Sequence, residues 1–155
     1  MIRLLKTGLG GALLALTMAT GAATPSPMHA LEKEPVITVY KDPNCGCCNN
    51  WVAHLIEHGF RVTEKNTSEM TEIKRGLGVP EDLESCHTGV VNGYVVEGHV
   101  PSADIKRVLK EKPKVAGLAV PGMPMGSPGM EGSRVDRYDV LSFDKAGKTQ
   151  VFARH

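Results

Sequence analysis

The stretch VITVYKDPNCGCC, residues 36–48, decides how the rest of the chain is read. Val36 to Tyr40 is a β-branched run that reads as a buried strand, stopped by the turn signal Asp42-Pro43-Asn44. A helix should begin there. Asn44 suits the N-cap, and Cys45 to His58 runs free of proline until Gly59 supplies a stop. Three cysteines therefore fall at the start of a helix that follows a strand. Free N–H groups and the positive end of the helix dipole stabilise a thiolate at that place. Such a thiolate is both a nucleophile and a soft-metal ligand. Gly46 is expected to let the backbone bend closely around whatever the sulfurs hold.

Downstream, Phe60 to Glu64 alternates as a second strand, and Thr67 to Arg75 reads as a short helix capped by Thr67 or Ser68 and ended at Gly76 and Gly78. Cys86 to Val91 and Tyr94 to Val100 are β-rich runs separated by Asn92-Gly93, the dipeptide best suited to a two-residue hairpin turn. Pro101 and Ser102 open a further helix with Ile105, Val108 and Leu109 as its apolar stripe and Pro113 beyond its end. The order βαβα then ββα is that of an α/β thioredoxin-like fold, a small mixed sheet flanked by helices. After Gly117, LAVPGMPMGSPGMEGS is too rich in Gly, Pro and Met for a regular helix or strand and reads as a flexible loop. Tyr138 to Phe143 and Thr149 to Ala153 form a C-terminal β-hairpin extension.

Upstream, residues 1–30 carry the parts of an export signal: Arg3 and Lys6, an apolar run from about Gly8 to Met18, then small residues. Cleavage is expected after Ala23 or Ala30, leaving residues 31–155 as one exported domain outside the cytoplasm. The apolar run is shorter than the ~20 residues a membrane span needs, so no membrane association is expected after cleavage. Of 18 basic residues, loss of Arg3 and Lys6 leaves 16 against 17 acidic ones. That balance gives no electrostatic case for nucleic acid.

All four cysteines survive cleavage, and in an exported chain they stay open to two chemistries. One is disulfides, Cys45–Cys48 with Cys47–Cys86, a bridge between neighbours Cys47 and Cys48 being strained. The other is a metal site. Cys86, just before the hairpin strand, should face the CxxC turn in either case. Helical phase sets Cys48 on an inward face with Val52, Leu55 and Ile56, and Cys47 on another face with Trp51, His54 and His58. One rigid face thus cannot offer all three sulfurs to one tetrahedral ion, and a cluster or several ions is the expected alternative. Met123, Met125 and Met130 lie close together in the Gly/Pro loop. Thioethers and thiolates prefer Cu(I), which makes copper the favoured metal. His54 and His58, at i, i+4, are read as surface residues roughly 10 Å along the helix from Cys47. His87 alternates away from Cys86 and is at best a supporting residue, and His99 is a weak candidate approaching from the hairpin.

DPNCGCC (42–48), ESCHTGVVNGYVVEGHVP (84–101) and GLAVPGMPMGSPGM (117–130) together resemble a thioredoxin-like periplasmic family with a CxCC motif, long labelled a domain of unknown function, that includes CopG-like copper-resistance proteins. The resemblance covers about residues 35–132. It implies a copper-binding protein of copper resistance or homeostasis, with Cys45, Cys47, Cys48 and Cys86 as thiolate ligands and Met123 and Met130 from the loop, Met125 being less securely placed. It also implies redox cycling of one or more copper ions, and periplasmic copper donor or acceptor proteins as partners. Cys86 falls about where ordinary thioredoxins carry a cis-proline. The competing function is thiol–disulfide exchange, with Cys45 attacking and Cys48 resolving.

Overall fold

The computed structural model describes residues 34–155, so the export signal expected over residues 1–30 lies outside the described residues. In order the elements are β1 (Val36–Lys41), α1 (Gly46–Glu57), β2 (Arg61–Asn66), α2 (Met70–Leu77), a 3-10 turn (Glu81–Leu83), β3 (His87–Val91), β4 (Tyr94–Glu97), α3 (Ser102–Glu111), β5 (Gly117–Ala119), β6 (Asp139–Phe143) and β7 (Thr149–Arg154). The strands make one mixed sheet in the order β2-β1-β3-β4-β5-β6-β7. β2 runs parallel to β1 and β5 parallel to β4; the other neighbours are antiparallel. This is the expected α/β order of elements, with the C-terminal hairpin joined to the same sheet. No helix among the described residues is long and apolar enough to cross a membrane.

Alternation along the central strands divides the core into two layers. Val96 and Leu118 join Ile37, Val39, Trp51, Leu55, Ile105 and Val108, so α1 and α3 cover one face. Val95 and Ala119 point oppositely, to Val79, Leu83 and Phe143 beyond the end of α2. The hairpin turn has the positive φ angles that Asn92-Gly93 tolerates, 47° and 84°.

Several expectations shift. Cys45, not Asn44, is the N-cap residue of α1, because the Asp42 carboxylate accepts the Asn44 N–H at 2.7 Å and turns the chain one residue longer. α2 begins at Met70, since Thr67 folds its hydroxyl onto the Glu69 N–H and ends in a turn of its own. β4 stops at Glu97, where Gly98 takes φ +70°. Leu118 and Ala119, expected to be irregular, form a strand with Gly117. It is three residues long and buried between β4 and β6, too short to show any periodicity. A side chain on Gly117 would meet the Val95 carbonyl oxygen and the Phe143 ring. Gly46, by contrast, is the first residue of a regular helix with open space around it, and no tight bend requires it.

Gly117→Ala should therefore destabilise the domain by about 1–3 kcal/mol through overpacking, whereas Gly46→Ala should stay within about 0.5 kcal/mol of the parent. Urea midpoints at unchanged slope read both changes; equal midpoints for the two variants would refute the account of β5.

Candidate metal centre

Three segments meet at the sulfurs. β1 ends at Lys41, and the turn that follows delivers Cys45, whose N–H is held by the Asp42 carbonyl at 3.2 Å. α1 then carries Cys47 and Cys48 in its first turn. Antiparallel pairing sets His87, the first residue of β3, opposite Lys41, which brings Cys86 level with that turn. The third segment is the methionine loop. Gly129 lies so close to α1 that a Cβ there would stand 2.8 Å from the Cys47 carbonyl oxygen and from the Trp51 nitrogen.

The sulfurs of Cys45, Cys47, Cys48 and Cys86 all lie within 4.8 Å of one another. Cys45 and Cys48 are joined by a disulfide, while Cys47 and Cys86 are free thiols. Cys47 Sγ stands 3.5 Å from Cys45 Sγ and 3.9 Å from Cys86 Sγ. Sulfurs sharing one tetrahedral ion at about 2.3 Å are roughly 3.8 Å apart. The group gathers as expected where Cys45, ahead of the helix, is free of helical phase, and Cys86 closes it from the sheet. Of the two bridges weighed from the sequence, only Cys45–Cys48 is formed.

Two histidines stand beside Cys86: His87, against expectation, and His99, the weak candidate from the hairpin. Cys86 Sγ lies 3.2 Å from His87 Nδ1 and 3.1 Å from His99 Nε2, and the three make a second metal-competent group. Strand alternation misassigned His87 because Cys86 lies outside the strand and is free of its pleat. His99 was recoverable from the sequence. The hairpin pairs Thr88 with Glu97, and continuing that register by two residues sets Cys86 opposite His99. The His99 Nδ1–H donates to the Pro128 carbonyl at 2.8 Å, which leaves Nε2 as the lone-pair nitrogen facing the sulfur. His87 is fully buried under the Trp51 ring, 4.2 Å between centroids, and its Nε2 has no hydrogen-bond partner among the described residues.

Burial sets the protonation of this group. Burial first, then the neighbouring Cys47, push the Cys86 thiol up to about 12. Desolvation lowers His99, and lowers His87 well below the ordinary imidazole range with help from His99 and Lys74. Both imidazoles are therefore neutral at pH 7, the form that binds metal.

The methionine loop is irregular, as expected, and is closed by its own hydrogen bonds. Gly126 N–H donates to the Met130 carbonyl at 2.8 Å, and Met130 N–H to that of Ser127 at 2.8 Å. Met130, half-buried, follows the Gly129 contact with α1; Met123 is 52% exposed at the loop's outer end, and the Met125 methyl packs toward Gly132. Trp51, expected with Cys47 on a face other than the inward one, is fully buried and donates its indole N–H to the Val100 carbonyl at 2.9 Å. Ile56, expected inside, is exposed. His58 is at the surface as expected, but His54 is half-buried, with Nε2 accepting the Ser102 N–H at 3.2 Å. Burial, and then His58, lower its pKa.

The family described as "Protein of unknown function, DUF411" matches residues 83–130, from just before Cys86 to Met130. No curated protein matches the chain. A solved structure described as "Copper resistance protein copG- Form 2" is 49% identical, with TM-score 0.75, covering 79% of this chain and 98% of that one. A second, "Copper resistance protein copG- Form 1", is 50% identical with TM-score 0.74 and the same coverage. The chain belongs to the CopG copper-resistance family. In this CopG-like chain the DUF411 match holds Cys86, both site histidines and the methionine loop, while the CxCC turn lies outside it.

In the metal-free protein, alkylation of Cys86 by iodoacetamide should keep rising about tenfold per pH unit from pH 7 to 10, since the thiolate fraction does so below the pKa. Mass mapping follows the site. A plateau below pH 9 would show that burial does not hold this thiol protonated.

Proposed function

We propose that this protein holds Cu(I) on the thiolates of Cys45, Cys47, Cys48 and Cys86 in the periplasm, after export by the segment 1–30. The observation that supports this most is the convergence of four sulfurs within 4.8 Å from two separate segments. Soft donors in that number select Cu(I) over harder ions. Met123 and Met130 add thioether donors of the same preference from the loop that closes over α1. One copper ion or several bridged by shared sulfur would neutralise the thiolates. Copper is the cargo, received from and passed to other periplasmic copper proteins.

The bridged form has only two free thiols, Cys47 and Cys86, so full loading on sulfur requires opening Cys45–Cys48. That takes two electrons. A thiol reductant supplies them, leaving two thiolates; closing the bridge again returns two electrons, enough to reduce two Cu(II) to two Cu(I), and the imidazoles of His87 and His99 are donors suited to Cu(II). A mixed donor set of this kind suits both oxidation states of copper, which supports redox cycling at one centre.

The second reading is thiol–disulfide exchange with protein substrates through the Cys45–Cys48 pair, which the formed bridge favours. It predicts disulfide turnover that survives copper chelation and loss of Cys86.

Titration of anaerobically reduced mature protein with Cu(I) against a competing chelator separates the two. Tight binding is expected, weakened at least about 100-fold in Cys86→Ser, since even residues that only support ligands cost 10–100-fold. Negligible binding, or unchanged affinity and stoichiometry in Cys86→Ser, would overturn the copper-thiolate site.

A further inference from the structure

Behind Cys86, on the opposite face of the sheet, lies a buried ion pair that the sulfur chemistry does not use. Glu97 of β4 is fully buried and Lys74 of α2 is 3% exposed, and their charged groups are in direct contact. Glu97 Oε1 also accepts the Ser85 N–H at 2.6 Å, and Oε2 accepts the Thr88 hydroxyl at 2.6 Å. Lys74 Nζ donates to the same hydroxyl at 3.0 Å. One carboxylate thus grips the chain at residues 85 and 88, on either side of Cys86 and His87. Ser85 in turn donates its hydroxyl to the Gly122 carbonyl, just before Met123. A Cβ on Gly98 would stand 2.7 Å from that of Ser85 and 2.6 Å from the Val120 carbonyl oxygen, so the two segments touch closely here.

We propose that Lys74, Glu97 and Thr88 are positioning residues, a clamp that holds the start of β3 so that Cys86 faces Cys47 and the methionine loop keeps its place beside it. The proposal rests on the copper reading for its functional consequence, though not for its geometry. Stability does not call for charge at this spot. Desolvating two ions costs several kcal/mol each, and well-packed apolar pairs of similar volume often replace them without loss. What an apolar pair cannot do is accept the Ser85 N–H and the Thr88 hydroxyl. Without those bonds the Ser85 N–H loses its acceptor, and the peptide before Cys86 is held from this side only through the Ser85 side chain on Gly122 and Gly98; Cys86 itself precedes the strand and has no ladder bonds of its own among those described.

The test uses the mature protein with three variants: Lys74→Met/Glu97→Leu, which removes both charge and acceptor; Lys74→Met/Glu97→Gln, which removes charge but keeps an amide acceptor for Ser85; and Thr88→Val. The metal-free readout is the rate at which dibromobimane cross-links Cys47 to Cys86, with the Cys45–Cys48 bridge intact. The second readout is Cu(I) affinity of the reduced protein. The Met/Leu pair should fold with an unchanged or higher melting temperature, yet cross-link several-fold more slowly and bind Cu(I) about 10- to 100-fold more weakly. The Met/Gln pair should restore most of both, which a purely structural role would not. Thr88→Val, the mildest change, should lose part of each and decides the matter should the apolar pair fail to fold. Parental cross-linking and affinity in a folded Met/Leu variant, or in Thr88→Val if that pair does not fold, would overturn the clamp. A parent that binds no Cu(I) while the variants still slow cross-linking would leave the clamp standing and remove the copper reading alone.

Discussion

The antiparallel register of β1 and β3 is the constraint on which the sulfur group depends. Lys41, the last residue of β1, faces His87, the first of β3, so the turn leaving one strand and the chain approaching the other are level. The turn makes α1 and its cysteines; the approach makes Cys86. A slip of one residue would reverse the face of every side chain in β3, sending His87 toward α2 and Thr88 beneath Trp51. Packing on both faces resists it. Gly89 leaves no side chain under Ile37 and Trp51, where a Cβ would stand 2.9 and 3.5 Å from their atoms, and Thr88 is bonded to Lys74 and Glu97 on the other side. The Asn92-Gly93 turn fixes β4 to β3 in the same register, which places His99 across from Cys86.

Most of this architecture was legible in the sequence because its punctuation is strong. Asp42-Pro43, Gly59, Asn92-Gly93 and Pro101 each end or begin an element within a residue or two of where they were read. β5 was not legible, since Gly117, Leu118 and Ala119 acquire strand geometry only by lying between β4 and β6. The cysteines were legible by type and spacing. His87 and Trp51 were not, for a shared reason. Periodicity assigns one inward face per element, whereas the methionine loop covers a second side of α1 through Gly129, and Cys86 belongs to no element at all.

Close gathering of sulfur carries an electrostatic cost that explains why the centre has the form it has. Two unit charges about 4 Å apart repel by roughly 4 kcal/mol at the effective dielectric near a protein surface. Four thiolates within 4.8 Å could not coexist uncompensated. Protonation is one relief, and burial first, with Cys47 second, favours it at Cys86. A disulfide is another, since joining Cys45 to Cys48 removes two of the four charges at once. Cations shared among the sulfurs are a third, and the only one that uses all four donors as thiolates. A bridge and a shared cation would thus be alternative answers to one problem at one place. The neutral imidazoles of His87 and His99 add donors to Cys86 without adding charge, which keeps that balance from being upset on the side of the sheet.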